Sequence, residues 1–335
     1  MPELPEIELS KILIYSLGGT IAMTSVGPGG SIVPTLSAAE LASYLPAQLL
    51  KGIDIEGRSF RQLSGSSIGF GDLTALLREM RQAAQGGITG FVVTMGTDSI
   101  EEASFLIDLL WDCEQPIVVT GAMRGPSHIS PDGAFNLAAA VATASSPQAR
   151  GRGCLVVLND EIHCARWVRK IHTTSGNAFS SGIVGTAGVL IEDEVRFLQP
   201  PLRQPVYPLP DLTAVKTALI VSVVGDDGTL YTKLDDGSFD GVVIAGFGAG
   251  HVPAAAVDAI DKLARRIPVV LATRVDSGPT LRRTYGYPGS EVDLLGRGLV
   301  CADLLDALKA RLLLHVLIAN GMSRDAIESA FATHG

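Results

Sequence analysis

Short, nearly continuous apolar runs that end in glycine or a polar turn constrain this chain more than any other feature. Four lie in its first half: Ile12–Ser16 before Gly18, Phe91–Thr94 before Gly96, Pro116–Thr120 before Gly121, and Cys154–Leu158 before Asn159. Runs this short, rich in β-branched residues, read as strands buried on both faces, the kind found in parallel sheets. Between them, Ser37–Leu45, Asp72–Gln85, Ile100–Asp112 and Asp132–Ala144 repeat apolar residues at threes and fours, the spacing of a helix with one buried face. Strand and helix patterns in alternation imply crossover units and an α/β fold with a mostly parallel sheet.

The segment LQPPLRQPVYPLP, Leu198–Pro210, carries neither period and cannot continue a helix or a central strand. Beyond it, strand-like runs recur at Ala218–Val224, Gly241–Ala245 and Val269–Thr273, with helical patterns at Ala254–Arg265 and Cys301–Asn320. The expected organisation is an N-terminal catalytic α/β domain over 1–197, a linker over 198–211 and a smaller C-terminal α/β domain over 212–335.

With 335 residues, 47% hydrophobic and 18% charged, the chain can bury ample cores and is not expected to be disordered. Its net charge of −9 opposes a non-specific grip on nucleic acid or anionic lipid, which favours a small-molecule ligand. Glu3, Glu6 and Glu8 stand where a secretory leader would carry positive charge, and no apolar run is long enough to span a bilayer. A cytoplasmic protein without a membrane segment is expected. Cys113, Cys154, Cys164 and Cys301 show no CxxC spacing, and the six histidines form no HExxH pair, so neither a metal nor another cofactor is expected.

Ligands of open parallel sheets gather at the carboxyl ends of the strands, where loops and helix N-termini present free N–H groups. Three polar clusters occupy such places. Thr20 follows the first strand in Leu17-Gly18-Gly19-Thr20-Ile21-Ala22, where the glycines permit a sharp turn; it is either a nucleophile or part of a tight turn and cap. Thr94-Met95-Gly96-Thr97-Asp98-Ser99 sets a hydroxyl beside a carboxylate, although Ser99 and Glu102 also fit a capping box. Asn159-Asp160-Glu161-Ile162-His163 leads to Arg166, Arg169 and Lys170. That lysine is an ordinary solvated charge unless burial favours its neutral amine, which could then take a proton from a hydroxyl.

Together these clusters resemble the bacterial-type L-asparaginase family, cytoplasmic type, over most of the chain. The matching motifs are Gly18-Gly19-Thr20-Ile21-Ala22, then Gly96-Thr97-Asp98-Ser99 with Glu101 and Glu102, then Gly121-Ala122-Met123-Arg124, then Asp132-Gly133 with Phe135-Asn136-Leu137, then Asn159-Asp160 with Arg166 and Lys170. The resemblance implies an amidohydrolase that cleaves the side-chain amide of asparagine to aspartate and ammonia. Thr20 would be the nucleophile in a mobile first loop, with Thr97, Lys170 and Asp98 as a second constellation. Ser66 and Ser67 align with the segment that binds the substrate carboxylate. N–H groups at Gly19, Gly96 and the Ala122 region could stabilise an oxyanion. The segment Gly246–His251 resembles one that completes a neighbour's site, so a homodimer or homotetramer follows, with His251 able to touch substrate.

Two departures from the family pattern keep alternatives open. Met95 stands where a polar residue is common, and the stretch 23–31 lacks the tyrosine many members place beside the nucleophile; Tyr15, in the preceding strand, is no obvious substitute. The alternatives are an ω-amidase or glutaminase-like enzyme acting on a modified or D-amino-acid amide, and a catalytically silent amino-acid-binding protein on the same scaffold.

Overall fold

A computed structural model describes residues 9–19, 21, 23–25, 32–34, 40, 45, 48, 51–201 and 203–335. Thr20 and most of the helix expected over 37–45 lie outside the described residues. The chain forms two compact units that divide between Arg203 and Gln204.

The first unit is built on an eight-stranded sheet. Its strands are β1 (Ser10–Gly18), β4 (Ile53–Leu63), β5 (Gly90–Thr94), β6 (Ile117–Thr120), β7 (Cys154–Leu158), β8 (Glu161–Cys164), β11 (Gly188–Ile191) and β12 (Glu194–Phe197). Two small antiparallel pairs complete the strand list here: β2 (Met23–Ser25) with β3 (Ile32–Pro34), and β9 (Arg169–Lys170) with β10 (Phe179–Ser180). The sheet order is β12-β11-β8-β7-β6-β5-β1-β4. From β7 to β4 every neighbouring pair is parallel, and the far edge through β8, β11 and β12 is antiparallel.

Helices α1 (Phe70–Gln85), α2 (Ile100–Leu110) and α3 (Gly133–Ser145) serve as crossovers. Alternate strand residues feed the two faces. Ile12, Ile14, Val92 and Val118 pack with Leu137, Ala140, Val141 and Ala144 of α3. The helix lies so close that a Cβ on Gly90 would sit 2.4 Å from the Ala144 carbonyl oxygen. On β1, Tyr15 is fully buried, edge-on to Phe60 and stacked with Phe91, which in turn meets Trp111. Its hydroxyl donates to Glu79 Oε1 at 3.1 Å; burial, and then the Glu79 carboxylate, push its phenol well above the usual range. Tyr15 is therefore a core residue.

The second unit is a four-stranded parallel sheet in the order β13 (Thr217–Val221), β14 (Gly241–Gly246), β15 (Val269–Thr273) and β16 (Val300–Cys301). Helices α4 (Thr229–Lys233), α5 (Val257–Arg266), α6 (Glu291–Gly296), α7 (Ala307–Ala319) and α8 (Arg324–His334) accompany it. The stretch expected as one helix from Cys301 is resolved differently: Val300–Cys301 adds a strand, Asp306 caps α7 by accepting from the N–H groups of Leu308 and Lys309, and a separate α8 follows.

No helix among the described residues is long and apolar enough to cross a membrane. Cys154 and Cys301 are buried, whereas Cys113 and Cys164 are partly exposed.

Candidate active site

Parallel strands deliver the loops after β1, β4, β5 and β6 to one edge of the first sheet. Ser16 pairs with Thr94 and Thr94 with Thr120, so these strands finish level. Three glycines then let the loop backbones touch. A Cβ on Gly19, which has φ +81, would come within 2.2 Å of Gly96 N, and one on Gly96 within 2.5 Å of Gly65 N. No side chain fits between these backbones. Gly19 and Gly96 thus stand side by side, while Thr20 itself lies outside the described residues.

Gly65–Ser67 forms one 3₁₀ turn, and the exposed Ser66 and Ser67 hydroxyls lie 3.1 and 2.8 Å from Ser64 Oγ. Thr97–Ser99 forms another, leading directly into α2, whose unsatisfied N-terminal N–H groups favour negative charge at this edge. Ser99 does not cap α2 through its side chain, so the capping box expected with Glu102 is absent. Its hydroxyl instead donates to the Gly65 carbonyl at 2.6 Å and clamps the β4 and β5 loops together.

Lys170 arrives from β9. Its Nζ donates to Thr97 Oγ1 at 3.0 Å and to Asp98 Oδ1 at 3.1 Å. Thr97 is buried, the lysine side chain is 16% exposed and the Asp98 side chain 63% exposed. A hydroxyl and an amine are thereby at proton-transfer distance in a largely water-excluded place, beside a carboxylate open to solvent. The Lys170 main-chain N–H donates to Glu101 Oε2 at 3.1 Å, so the first turn of α2 also fixes the strand that carries the lysine. In the sequence Glu101 is a motif residue without an assigned role; its place one turn beyond Thr97 was the available signal.

Motif residues after β6 have a structural task. Asp132 accepts from the N–H groups of Met123 at 3.0 Å and Arg124 at 2.8 Å. Asn136 donates to the Gly121 carbonyl and accepts from the N–H of Asn159, tying the β6 loop to the β7–β8 turn. Ala122 is buried within this arrangement, and its Cβ would be 3.4 Å from one placed on Gly133. Met95 is fully buried, so the polar group it replaces is exchanged for core packing.

In the second unit, His251 has a partner at each ring nitrogen. Nε2 lies 3.0 Å from Glu291 Oε2, and Nδ1 lies 2.8 Å from the Tyr287 hydroxyl. Burial works against charge on Glu291, but N–H groups of Tyr285 and Thr284, together with His251, hold its carboxyl below the usual range. Tyr285 and Tyr287 are exposed, as their turn-rich loop suggests.

Comparison with known proteins places this geometry in a family. Residues 11–203 match the model of the asparaginase N-terminal domain, and residues 216–331 that of the glutaminase/asparaginase C-terminal domain. An L-asparaginase of Bacillus licheniformis is 33% identical over 316 residues, covering 92% of this chain and 96% of that protein. A probable L-asparaginase of Deinococcus radiodurans is 34% identical over 327 residues, covering 96% and 97%. A solved structure of a probable cytoplasmic L-asparaginase from Campylobacter jejuni superposes with a TM-score of 0.86 at 28% identity, over 97% of this chain and 99% of that one. The chain belongs to the asparaginase family.

Proposed function

We propose that the protein hydrolyses the side-chain amide of asparagine to aspartate and ammonia. The observation that carries this reading is the contact of Lys170 Nζ with both Thr97 Oγ1 and Asp98 Oδ1. Amide hydrolysis needs a nucleophile, a proton for departing ammonia and donors for a tetrahedral oxyanion. Thr20 supplies the first attack and forms an acyl-enzyme, which water then hydrolyses. Thr97 and Lys170 move protons, and Asp98 orients the lysine or holds the substrate's α-amino group. Ser66 and Ser67 take the substrate carboxylate, while N–H groups at Gly19, Gly96 and Ala122 face the oxyanion.

Residues 198–211 join the catalytic and C-terminal domains in this reading. The protein works in the cytoplasm as a homodimer or homotetramer, with His251 serving a neighbour's site. A cytoplasmic location is supported by the description of the Campylobacter jejuni relative.

Ammonia release from L-asparagine, D-asparagine, L-glutamine and N-substituted derivatives tests the reading, with Thr20→Ala, Thr97→Ala and Lys170→Met alongside. Each substitution is expected to lower turnover of L-asparagine by about 10²–10⁴-fold with the fold intact. Wild-type rates in Thr97→Ala or Lys170→Met would sink the mechanism. A second reading, a longer amide such as glutamine, is favoured by a glutaminase-asparaginase of Pseudomonas aeruginosa that is 27% identical over 98% of this chain. Turnover of glutamine alone would select it, and silence across the panel would leave an amino-acid-binding protein.

A further inference from the structure

Lys170 does not sit on the main sheet. The chain leaves the sheet where the Ala165 N–H donates to the Cys154 carbonyl and rejoins it where the Ala187 N–H donates to the Ile162 carbonyl at 2.7 Å. Between these points runs the small β9–β10 pair, in which Lys170 stands opposite Phe179. Two residues per strand make a weak ladder, so something else must fix where the lysine points.

Burial of Val168, Ala178 and Phe179 keeps this excursion on the body of the unit. Apolar burial is non-directional, however, and tolerates small sliding. Directional ties include the Trp167 and Val168 N–H groups bonded to the Cys164 carbonyl of β8, the Lys170 N–H bonded to Glu101, and a hydrogen bond at the far end of β10. There Ser181 Oγ lies 2.9 Å from Nδ1 of His163, which stands on β8 in the main sheet. The other ring nitrogen, Nε2, lies 3.3 Å from Glu161 Oε2. Both His163 and Ser181 are buried, at 1% and 5% exposure.

The partners assign the tautomer. A carboxylate only accepts, so the tautomer with the proton on Nε2 suits both neighbours; Nδ1 is then the acceptor and the Ser181 hydroxyl the donor. The order is carboxylate, imidazole, hydroxyl, but the serine is enclosed and its hydrogen bond points back into the sheet. The cluster thus serves as a brace and not as a second nucleophile.

We propose that His163 is a positioning residue for Lys170, acting through Ser181 to pin the β9–β10 pair against β8 and so hold Nζ at Thr97 and Asp98. This inference rests on the catalytic role given to Lys170 above. Burial supports it by pushing the imidazole down to about 4, which keeps the ring neutral and Nδ1 an acceptor at ordinary pH. Because proton transfer is sensitive to displacements on the order of 1 Å, loosening the brace lowers kcat and leaves the substrate-binding loops of β4 and β5 in place.

The test compares Ser181→Ala, His163→Leu, their combination and His163→Asn in steady-state hydrolysis of L-asparagine, with Lys170→Met as the benchmark. Ser181→Ala and His163→Leu are each expected to lower kcat about tenfold with KM within about twofold, and the double variant to lose little more than either alone. His163→Asn, whose amide oxygen reaches the place of Nδ1, is expected to recover most of the loss. Wild-type kcat in Ser181→Ala, additive losses in the double variant, or no recovery in His163→Asn would each overturn the proposal. Should His163→Leu fail to fold, Ser181→Ala and His163→Asn decide the matter. An active Lys170→Met would instead overturn the catalytic reading itself, so the two failures are told apart.

Discussion

Loss of water drives two buried side chains of the first unit in opposite directions. Burial pushes His163 down to about 4, and it pushes the Asp108 carboxyl up to about 6 despite the N–H of Cys154 bonded to it. His163 in the unfolded chain binds its proton near 6.5, so its contribution to stability is present above 6.5 and lost as pH falls through 4, to the extent of about 3 kcal/mol. Asp108 has the opposite sign. Its contribution is present below 3.8 and lost as pH rises through about 6, by roughly 2–3 kcal/mol. Between pH 4 and 6 the two slopes offset each other. Urea midpoints at several pH values check this: Asp108→Asn is expected to steepen the loss of stability on acidification, and His163→Asn to flatten or reverse it. An Asp108→Asn curve parallel to wild type would refute the assignment. None of this was legible in the sequence, where Asp108 was one more residue in a helical pattern and His163 one of six scattered histidines. Burial of a polar side chain depends on partners remote in the chain, here Cys154 for one and Ser181 for the other. The same reason made Lys170 ambiguous, since its enclosure depends on β9 pairing with β10.

At the scale of elements, the loop edge depends on backbones that touch where side chains are missing. Gly96→Ala would force a Cβ to 2.5 Å from Gly65 N and 2.8 Å from Gly65 Cα, backbone atoms that no rotamer change can relieve. The expected cost is about 1–3 kcal/mol, together with loss of hydrolysis as the β4 and β5 loops part. Gly71→Ala is the control: it lies in α1 with nothing within 4 Å of the new Cβ, and is expected to gain about 0.5–1 kcal/mol. Equal melting temperatures for the two variants would contradict the close approach. The central strands were readable because they are continuously apolar, and β7 and β15 match their expected bounds residue for residue. Strand β4 was missed for the converse reason. Its sequence, IDIEGRSFRQL, alternates apolar and polar for much of its length, the signature of an edge strand with one wet face, and does not form an apolar run. The antiparallel edge was hidden in tight turns. Asn159-Asp160 between β7 and β8 and Glu192-Asp193 between β11 and β12 have positive φ at both central residues, so a pair read as a site motif is also what closes a hairpin.

For the whole molecule, family membership was legible because five linked motifs survive in order, while assembly is an expectation from that resemblance alone, since a self-complementary surface has no sequence period. The reading that His251 serves a neighbour's site makes a prediction about mixtures of subunits. Lys170→Met disables the first unit's contribution, and His251→Ala removes a group of the second unit that Tyr287 and Glu291 hold in place. Suppose each variant alone is weak or inactive and subunits are exchanged by co-expression or by refolding together. If sites are shared across a dimer, a mixed dimer has one site carrying both defects and one carrying neither. A statistical mixture then regains about a quarter of wild-type activity, with kcat per intact site unchanged. If each site is built from a single chain, every site in the mixture keeps one defect and nothing is regained. Sedimentation provides the independent check, because sharing requires the active species to have twice or four times the mass of one chain. Full activity in a strictly monomeric species would remove both the shared site and the role given to His251, while leaving the chemistry of Thr97, Asp98 and Lys170 untouched.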